Sequence, residues 1–355
     1  RSGEERTLAG EVSVQLSEEA LTLSAEASGV ELTASAQLTV ETGPVTALSA
    51  LAPPQAALSG SARADGRIGD FAAFHIDPAQ RLTGEVYADA EISGVVSDPV
   101  IVGAARRSDG RFSDGRAGLD LRALNAELDL TRQGARLTRL QAEDGEGGVL
   151  SGEGRLDIAD PIALEADISF EGFRLIDRDD LDAMATGDVR FVLEDGRGRV
   201  TGSAMIDRAD LSPSGRGRTG VAQIEVTEIN RPSGLDPAPD RRAGPPIALD
   251  YQVSAPRRVF VRGPNYDTEW SFDLGIQGTV EDPVLMGEAQ LVRGRADLLG
   301  RSFDLERGEV ILDGEPSQAR INVAAVNRRQ ALTARILVDG TVADPEVTLS
   351  SQPAL

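Results

Sequence analysis

Few side chains in the sequence have the types and spacing that enzyme chemistry requires. His75 is the only histidine, and cysteine is absent. A Ser-His-Asp triad needs a histidine base, and a zinc site needs several His or Cys ligands, so one imidazole supports neither without help from elsewhere. We interpret His75, in the segment 71–78, as a loop or helix-end residue. The Gly-x-Ser-x-Gly, Walker and His-Glu-x-x-His motifs are also missing.

Carboxylates are the remaining candidates, and Asp177, Asp179, Asp180 and Asp182 form one local cluster. The cluster lacks the glycine and the terminal glutamate of a calcium-binding EF-hand loop. Because acidic groups stabilise the start of a helix, it predicts a short helix over residues 179–184, with incidental calcium binding as the less favoured alternative. A glycosidase needs only two carboxylates, but the aromatic platforms typical of carbohydrate sites are scarce, with one Trp and three Tyr.

Composition excludes several other classes. The net charge of -22 opposes binding to nucleic acid or to an anionic membrane face. Without cysteine there is no disulfide framework, which suits a periplasmic chain. No apolar run is long enough to span a bilayer as a helix. The glycine-rich stretch 145–154 misses the dinucleotide-binding spacing and predicts a turn or bulge. We therefore expect a protein that is not an enzyme and has no cofactor or metal.

Alternation of apolar and polar residues dominates the chain, for example over residues 30–40, 270–276 and 332–338. A period of two predicts half-buried β-strands with one apolar face. At roughly 12–14 residues per strand and turn, the chain would form about 25 strands that span on the order of 120 Å. Helical signals are limited to residues 44–51 and 179–184. The proline-rich segment 231–246 predicts an irregular loop.

Turn signals separate the strands. Asp-Gly between alternating runs favours tight hairpins and antiparallel neighbours. A second signal, Gly-x-Val-x-Asp-Pro, occurs at 94–99, 278–283 and 340–345, and it predicts a repeated strand-to-strand link because proline suits a strand start. The Asp-Gly pairs lie at 65–66, 109–110, 114–115, 144–145, 195–196, 313–314 and 339–340.

A long sheet with one apolar face must cover that face by closing, by stacking on a second sheet or by curling around a ligand. The residues alone favour an ordinary sandwich core over a groove that holds lipid. The residues that we expect on the apolar face are Trp270, Phe272, Leu274, Ile276, Phe303, Leu305, Leu332, Ile336 and Val338.

The last part of the sequence contains a specific succession of short motifs. They are, in order, Arg258-Val259-Phe260-Val261-Arg262-Gly263, Asp267-Thr268-Glu269, the repeat at 278–283, Gly287, Arg293-Gly294, the segment 299–310, the repeat at 340–345 and the segment 349–355. With these motifs, the sequence from Arg257 onward resembles the C-terminal domain of the TamB family. The resemblance is close over this last part, looser over residues 80–230, and limited to the strand pattern before residue 80.

The resemblance implies an all-β fold, an elongated and curled (taco-like) sheet with an apolar concave groove and a few short helices. It implies strand-rich residues 1–80, continuation of the sheet over 81–230, the loop 231–246 and a TamB-like domain over 247–355. It favours the groove over the sandwich core. The expected role is phospholipid transport between the inner and outer membranes, outer-membrane protein assembly, or both.

The resemblance also implies partners and a location. The partners would be phospholipids and an outer-membrane β-barrel of the Omp85 class, similar to TamA. The protein would be periplasmic in a Gram-negative bacterium. We expect the chain to be a fragment, with an inner-membrane anchor before Arg1 and a docking segment after Leu355. Two alternatives stay open: a scaffold or chaperone that offers a sheet edge to outer-membrane proteins, and a secreted β-helix passenger.

Overall fold

The computed structural model describes residues 9–17, 19–28, 32–42, 53–68, 79–158, 161–212, 246–298, 300–329 and 332–353. These residues form nineteen β-strands and one short 3₁₀ helix, Pro316–Gln318. The predicted all-β class is therefore confirmed. The predicted helix at 44–51, His75 and most of the proline-rich segment 231–246 lie outside the described residues.

The chain divides into two compact units. Unit 1 comprises residues 1–177 and 188–195, and unit 2 comprises residues 178–187 and 196–355. Strand β11, Leu181–Glu194, contributes residues to both units. The other strands of unit 1 are β1 (Ala9–Leu16), β2 (Ala20–Ser28), β3 (Leu32–Glu41), β4 (Leu58–Ile68), β5 (Gln80–Val95), β6 (Asp98–Asp114), β7 (Leu119–Thr131), β8 (Gly134–Glu143), β9 (Val149–Asp157) and β10 (Ala163–Asp177).

Each strand of unit 1 from β1 to β10 pairs antiparallel with the next one along the chain. This is the arrangement that alternating runs separated by short turns favour. The prediction of about 25 strands assumes shorter strands than those observed, since β6 alone has 17 residues.

The remaining strands of unit 2 are β12 (Arg197–Leu211), β13 (Ile247–Gly263), β14 (Tyr266–Thr279), β15 (Pro283–Leu298), β16 (Arg301–Gly314), β17 (Arg320–Arg329), β18 (Leu332–Thr341) and β19 (Pro345–Gln352). Consecutive strands from β13 to β19 pair antiparallel. Strands β12 and β13 are parallel instead. Both strands begin at the same end of the sheet, where Gly198 lies opposite Ile247.

The predicted helix at 179–184 is wrong, because this segment is a turn followed by β11. Backbone hydrogen bonds join Arg178 N to Leu181 O (3.0 Å) and Leu181 N to Arg178 O (3.3 Å). Ala183 and Ala185 are buried at alternate positions, as in a strand. Two turns of helix are marginal without tertiary support, and the sheet supplies competing contacts. The acidic cluster therefore flanks a turn and does not begin a helix.

The Asp-Gly pairs have mixed outcomes. Asp195 and Gly196, between β11 and β12, both have positive φ (50° and 68°), as a type I′ turn requires. The pair at 65–66 lies inside β4, and the pair at 109–110 forms a bulge inside β6, so neither makes a hairpin. Tertiary pairing thus overrides the local turn signal at these two places.

The Gly-x-Val-x-Asp-Pro repeat is confirmed as a strand-to-strand link. Its glycines Gly94, Gly278 and Gly340 have φ of 98°, 89° and 105°. Each copy joins two paired antiparallel strands. The valine N–H also reaches the beginning of a third strand, so the repeat fastens three strands together. The hydrogen bonds run from Val96 to Ala56 O (3.1 Å), from Val280 to Ile247 O (3.0 Å) and from Val342 to Ala319 O (2.9 Å).

Few large apolar side chains are fully buried among the described residues. Phe173 in unit 1 and Val326 in unit 2 are the largest side chains that are almost fully buried. Most apolar side chains of the strands are half-buried. In the described parts of both units, strands pack mainly against their sheet neighbours. The fold therefore depends on backbone pairing and on rows of cross-strand side chains.

Candidate functional site

Cross-strand registers extend one apolar face through unit 2. Opposite residues of paired strands point to the same side, so the face can be followed from strand to strand. One row runs from Ala255 through Phe272, Ala289 and Val310 to Ile321. Further rows on this face are Val253–Leu274–Gly287–Leu312, Tyr251–Ile276–Leu285–Gly314 and Leu305–Ala325–Ile336–Leu349.

All nine residues that the sequence suggested for the apolar face lie on this one side of unit 2. They come from β14 (Trp270, Phe272, Leu274, Ile276), β16 (Phe303, Leu305) and β18 (Leu332, Ile336, Val338). Phe303 is buried, and the other eight are half-buried. Their role in holding lipid stays a prediction.

Trp270 is held in place by two successive hydrogen bonds at the edge of its indole and by the backbone of Gly308, which lies close to its ring. Its indole N–H donates to Thr268 Oγ1 (2.9 Å), and the Thr268 hydroxyl donates to Val261 O (3.0 Å). A Cβ atom at Gly308 would lie 2.9 Å from Trp270 Cη2. The polar atom of the side chain is thus satisfied, and the ring remains part of the apolar face.

The opposite side of unit 2 is charged. Arg262 forms ion pairs with Asp210 and with Asp267 (3.2 Å). The guanidinium groups of Arg208 and Arg262 lie 5.5 Å and 4.4 Å from the centroid of the Phe260 ring. Such exposed pairs contribute little to stability, but they keep this side hydrated. The sheet of unit 2 is therefore amphipathic through its thickness.

Glu269 is the buried carboxylate in the described part of unit 2, and it joins the bulges of two strands. Its Oε1 accepts the backbone N–H of Arg258 (3.2 Å), a residue with φ of 68° in the bulge of β13. Its Oε2 accepts Arg293 Nε–H (2.6 Å), beside the bulge of β15. The hydrogen bond from Arg293 lowers the pKa of Glu269. The sequence motif that contains Glu269 pointed to this region but not to its structural role.

Unit 1 has an apolar face of a different kind. On one side of its first six strands, the middle rows contain mainly alanine and glycine, the flanking rows contain valine, leucine and isoleucine, and β7 to β10 add leucines. Two rows of small residues are Val12–Ala25–Ala36–Ala62–Ala90–Gly103 and Gly10–Ala27–Ala34–Ala64–Ala88–Ala105. Two rows that contain leucine are Leu128–Leu137–Gly154–Ala166 and Leu130–Ala135–Leu156–Leu164.

Asp144 is the buried carboxylate of unit 1. Its Oδ1 accepts the N–H groups of Glu146 (2.7 Å) and Gly148 (2.9 Å), and its Oδ2 accepts that of Arg174 (2.9 Å). Burial acts to raise the pKa of Asp144, but these backbone donors outweigh it, so the pKa lies below its usual value. The glycine-rich stretch 145–154 thus begins as a loop organised by one side chain, which agrees with the predicted turn.

These features define a class of β-sheet proteins in which an apolar face continues across many strands and the reverse face is charged. A family model for the TamB C-terminal domain matches residues 138–355, more than half of the sequence, and the chain belongs to this family. The matched region begins within β8, well before Arg257. No curated protein matches the sequence. Among the described residues, no helix is long and apolar enough to cross a bilayer.

Proposed function

We propose that the chain is part of a periplasmic path for phospholipids between the inner and outer membranes. The observation that supports this most is the continuity of the apolar face, row by row, from β13 to β19. An ordinary enzyme site concentrates polar groups in one place, whereas this face repeats apolar side chains along consecutive strands. Membership of the TamB family supports the same role, since the family is associated with the bacterial envelope and is not known for enzymes.

The physical basis is the hydrophobic effect. Burial of apolar surface stabilises by about 25 cal/mol per Å², without any required direction. An acyl chain on a continuous apolar face can therefore move from row to row between similar environments. The headgroup would stay at the hydrated border of the face. Such a path would accept varied phospholipids, because it depends on few specific polar contacts.

The proposed setting is a translocation and assembly module. The partners would be phospholipids and an Omp85-class protein similar to TamA in the outer membrane, with the whole protein anchored in the inner membrane. The family supports association with TamA and with membranes in general. The particular partners of this chain are part of the proposal.

A second candidate function is assembly of outer-membrane proteins on a sheet edge. In the described residues, β19 pairs with β18 on one side only. Val347 and Leu349 on β19 are 62% and 71% exposed. An unpaired strand with exposed apolar side chains is suited to β-augmentation by another chain. This function shares the fold and is compatible with lipid transport.

The proposal can be tested by native mass spectrometry of the purified chain. We expect bound phospholipid in the wild-type protein. Phe272→Asp should lower the bound lipid by at least about tenfold, because a carboxylate among acyl chains costs roughly 2.5–3.5 kcal/mol. The matched control is Ser271→Asp, which adds the same charge one residue away, on the side shared with Gln290.

Two outcomes would contradict the proposal. A lipid-free wild-type protein would favour an ordinary apolar core. Equal lipid loss in Phe272→Asp and Ser271→Asp would show that the side of the sheet is irrelevant. Thermal unfolding of each variant separates lipid loss from loss of the fold.

A further inference from the structure

Arg107 is an arginine on the apolar face of unit 1. In the sheet it lies opposite Val86 of β5 and Ala126 of β7. The next row on β6 contains Ala105, flanked by Ala88 and Leu128. Its position on this side follows from the register and does not depend on the rotamer. A cation is therefore built into a face whose other side chains are apolar except at its end row, which contains Gln80 and Asp114.

The charge of Arg107 has no counter-ion among the described residues. Asp114 is the other charged residue that the registers place on this face from β1 to β10, and it lies at the end row. Asp114 accepts a hydrogen bond from Gln80 Nε2 (2.8 Å). The hydrogen bond that Arg107 makes is from Nη2 to Thr83 O. Its Nε is buried and has no acceptor, and burial lowers the pKa of Arg107.

The backbone around Arg107 is shaped to admit its guanidinium. A Cβ atom at Gly84 would lie 3.1 Å from Arg107 Nη2, and one at Gly110 would collide with Arg107 Nε. Gly110 belongs to the β6 bulge, in which Asp109 has φ of 48°. Two glycines and a residue with positive φ thus lie around a cation without an anion. A Cβ atom at Gly84 would also lie 2.6 Å from Gly110 Cα, so the glycines let the backbones of β5 and β6 approach each other at the bulge beside the guanidinium.

We propose that Arg107 binds the phosphate of a phospholipid whose acyl chains lie on the neighbouring rows of small side chains. This inference rests on the proposed function and deepens it, because it identifies a headgroup site along the path. A guanidinium offers several N–H donors in a planar fork that fits phosphate oxygens. The apolar surroundings strengthen the interaction, since they exclude water. The alanine and glycine rows leave room for acyl chains beside the charge.

The test compares two lipids that differ only in the phosphate-containing headgroup. Native mass spectrometry would measure binding of dioleoylphosphatidylglycerol and of dioleoylglycerol to the full 355-residue chain. We expect the wild-type protein to prefer the phospholipid by about tenfold or more, as for a hydrogen bond to a charged group. Arg107→Met should bind both lipids equally. Arg106→Met is the matched control, because Arg106 points to the opposite side, beside Tyr87 and Glu127.

Arg107→Lys is a second variant, and it tests the lipid preference even if Arg107→Met does not fold. It keeps the charge but loses the planar fork, so the preference should fall without disappearing. An equal preference in wild type and Arg107→Met would overturn the headgroup site and leave the lipid path intact. A wild-type protein that binds neither lipid would overturn both proposals. Binding of inorganic phosphate to wild type but not to Arg107→Met, with no preference between the two lipids, would identify free phosphate as the ligand and would also overturn the headgroup site.

Discussion

Asp144 and Glu269 are the buried carboxylates in the described parts of unit 1 and unit 2, and they are satisfied in different ways. Asp144 in unit 1 accepts only backbone N–H groups, two of them from its own loop. Glu269 in unit 2 accepts one backbone N–H and the side chain of Arg293, which is 75% exposed. Fixed amides need no ordering of a flexible side chain, whereas a guanidinium does. The hydrogen bonds of Asp144 in unit 1 are thus more rigid than those of Glu269 in unit 2, which depend on a flexible side chain.

The apolar faces differ in a parallel way. The middle rows of unit 1 consist of alanine and glycine, while the face of unit 2 carries the large side chains of Trp270 and Phe272. Large side chains stabilise their own sheet by burying more apolar area. Small ones bury less area, so their sheet depends more on backbone pairing. The comparison therefore predicts that unit 1 depends more on the precision of its backbone, and unit 2 more on its side chains.

The largest effect is expected from Gly148→Ala in unit 1. The added methyl group would lie 2.5 Å from Gly172 O and 2.6 Å from Phe173 Cα, and it would also collide with Asp144 Oδ2. We expect a loss of about 3 kcal/mol in the free energy of unfolding. Hydrogen exchange of peptides from β8 to β10 would detect it, while the fluorescence of Trp270, the only tryptophan, reports on unit 2.

The control for this variant is Gly147→Ala. Gly147 has φ of 107°, but a Cβ there would meet nothing within 4 Å. We expect a loss of about 1 kcal/mol from backbone strain alone. Similar losses in both variants would show that the Asp144 loop is not the rigid fastening that the comparison requires.

Glu269→Gln should have a smaller effect, in unit 2. The amide keeps one acceptor for Arg258 N but loses the charge that pairs with Arg293. We expect a loss of about 2 kcal/mol, measured by urea unfolding with Trp270 fluorescence. Glu288→Gln, at an exposed position of β15, is the control, and it should change the free energy of unfolding little. An unchanged stability in Glu269→Gln would mean that Arg293 does not fasten the bulges.

The features of the fold that depend on the period and order of residue types could be predicted from the sequence. Alternation alone predicted that Trp270, Phe272 and their partners share a side, because direction in a strand reverses at every residue. It could not find the roles of Asp144, Glu269 and Arg107. Each depends on a bulge or loop that brings distant backbone groups to one side chain. A one-residue bulge only shifts the phase of the alternation, which does not show which distant groups it brings together. The helix predicted at 179–184 failed because sheet pairing decided the segment.

The smallest expected effect is a difference between the two carboxylates in how salt changes the acid unfolding of their units. Both pKa values are lowered by folding, so the stabilisation is present above the unfolded-state pKa of about 4 and is lost as the pH falls through the lower folded-state pKa. Salt near 1 M shortens the screening length to about 3 Å and weakens the exposed Arg293 pair. The pKa of Glu269 should then rise toward normal, and unit 2 should unfold at higher pH.

Asp144 should be less sensitive to salt, since its donors are neutral amides of the backbone. The measurement is acid unfolding at low and high salt, followed by Trp270 fluorescence for unit 2 and by hydrogen exchange of β8 to β10 for unit 1. Glu269→Gln corrects for general screening of the charged chain, because its unit 2 transition should lack the additional shift. If both units of the wild type shift equally with salt, the proposed difference between backbone and side-chain fastening does not exist.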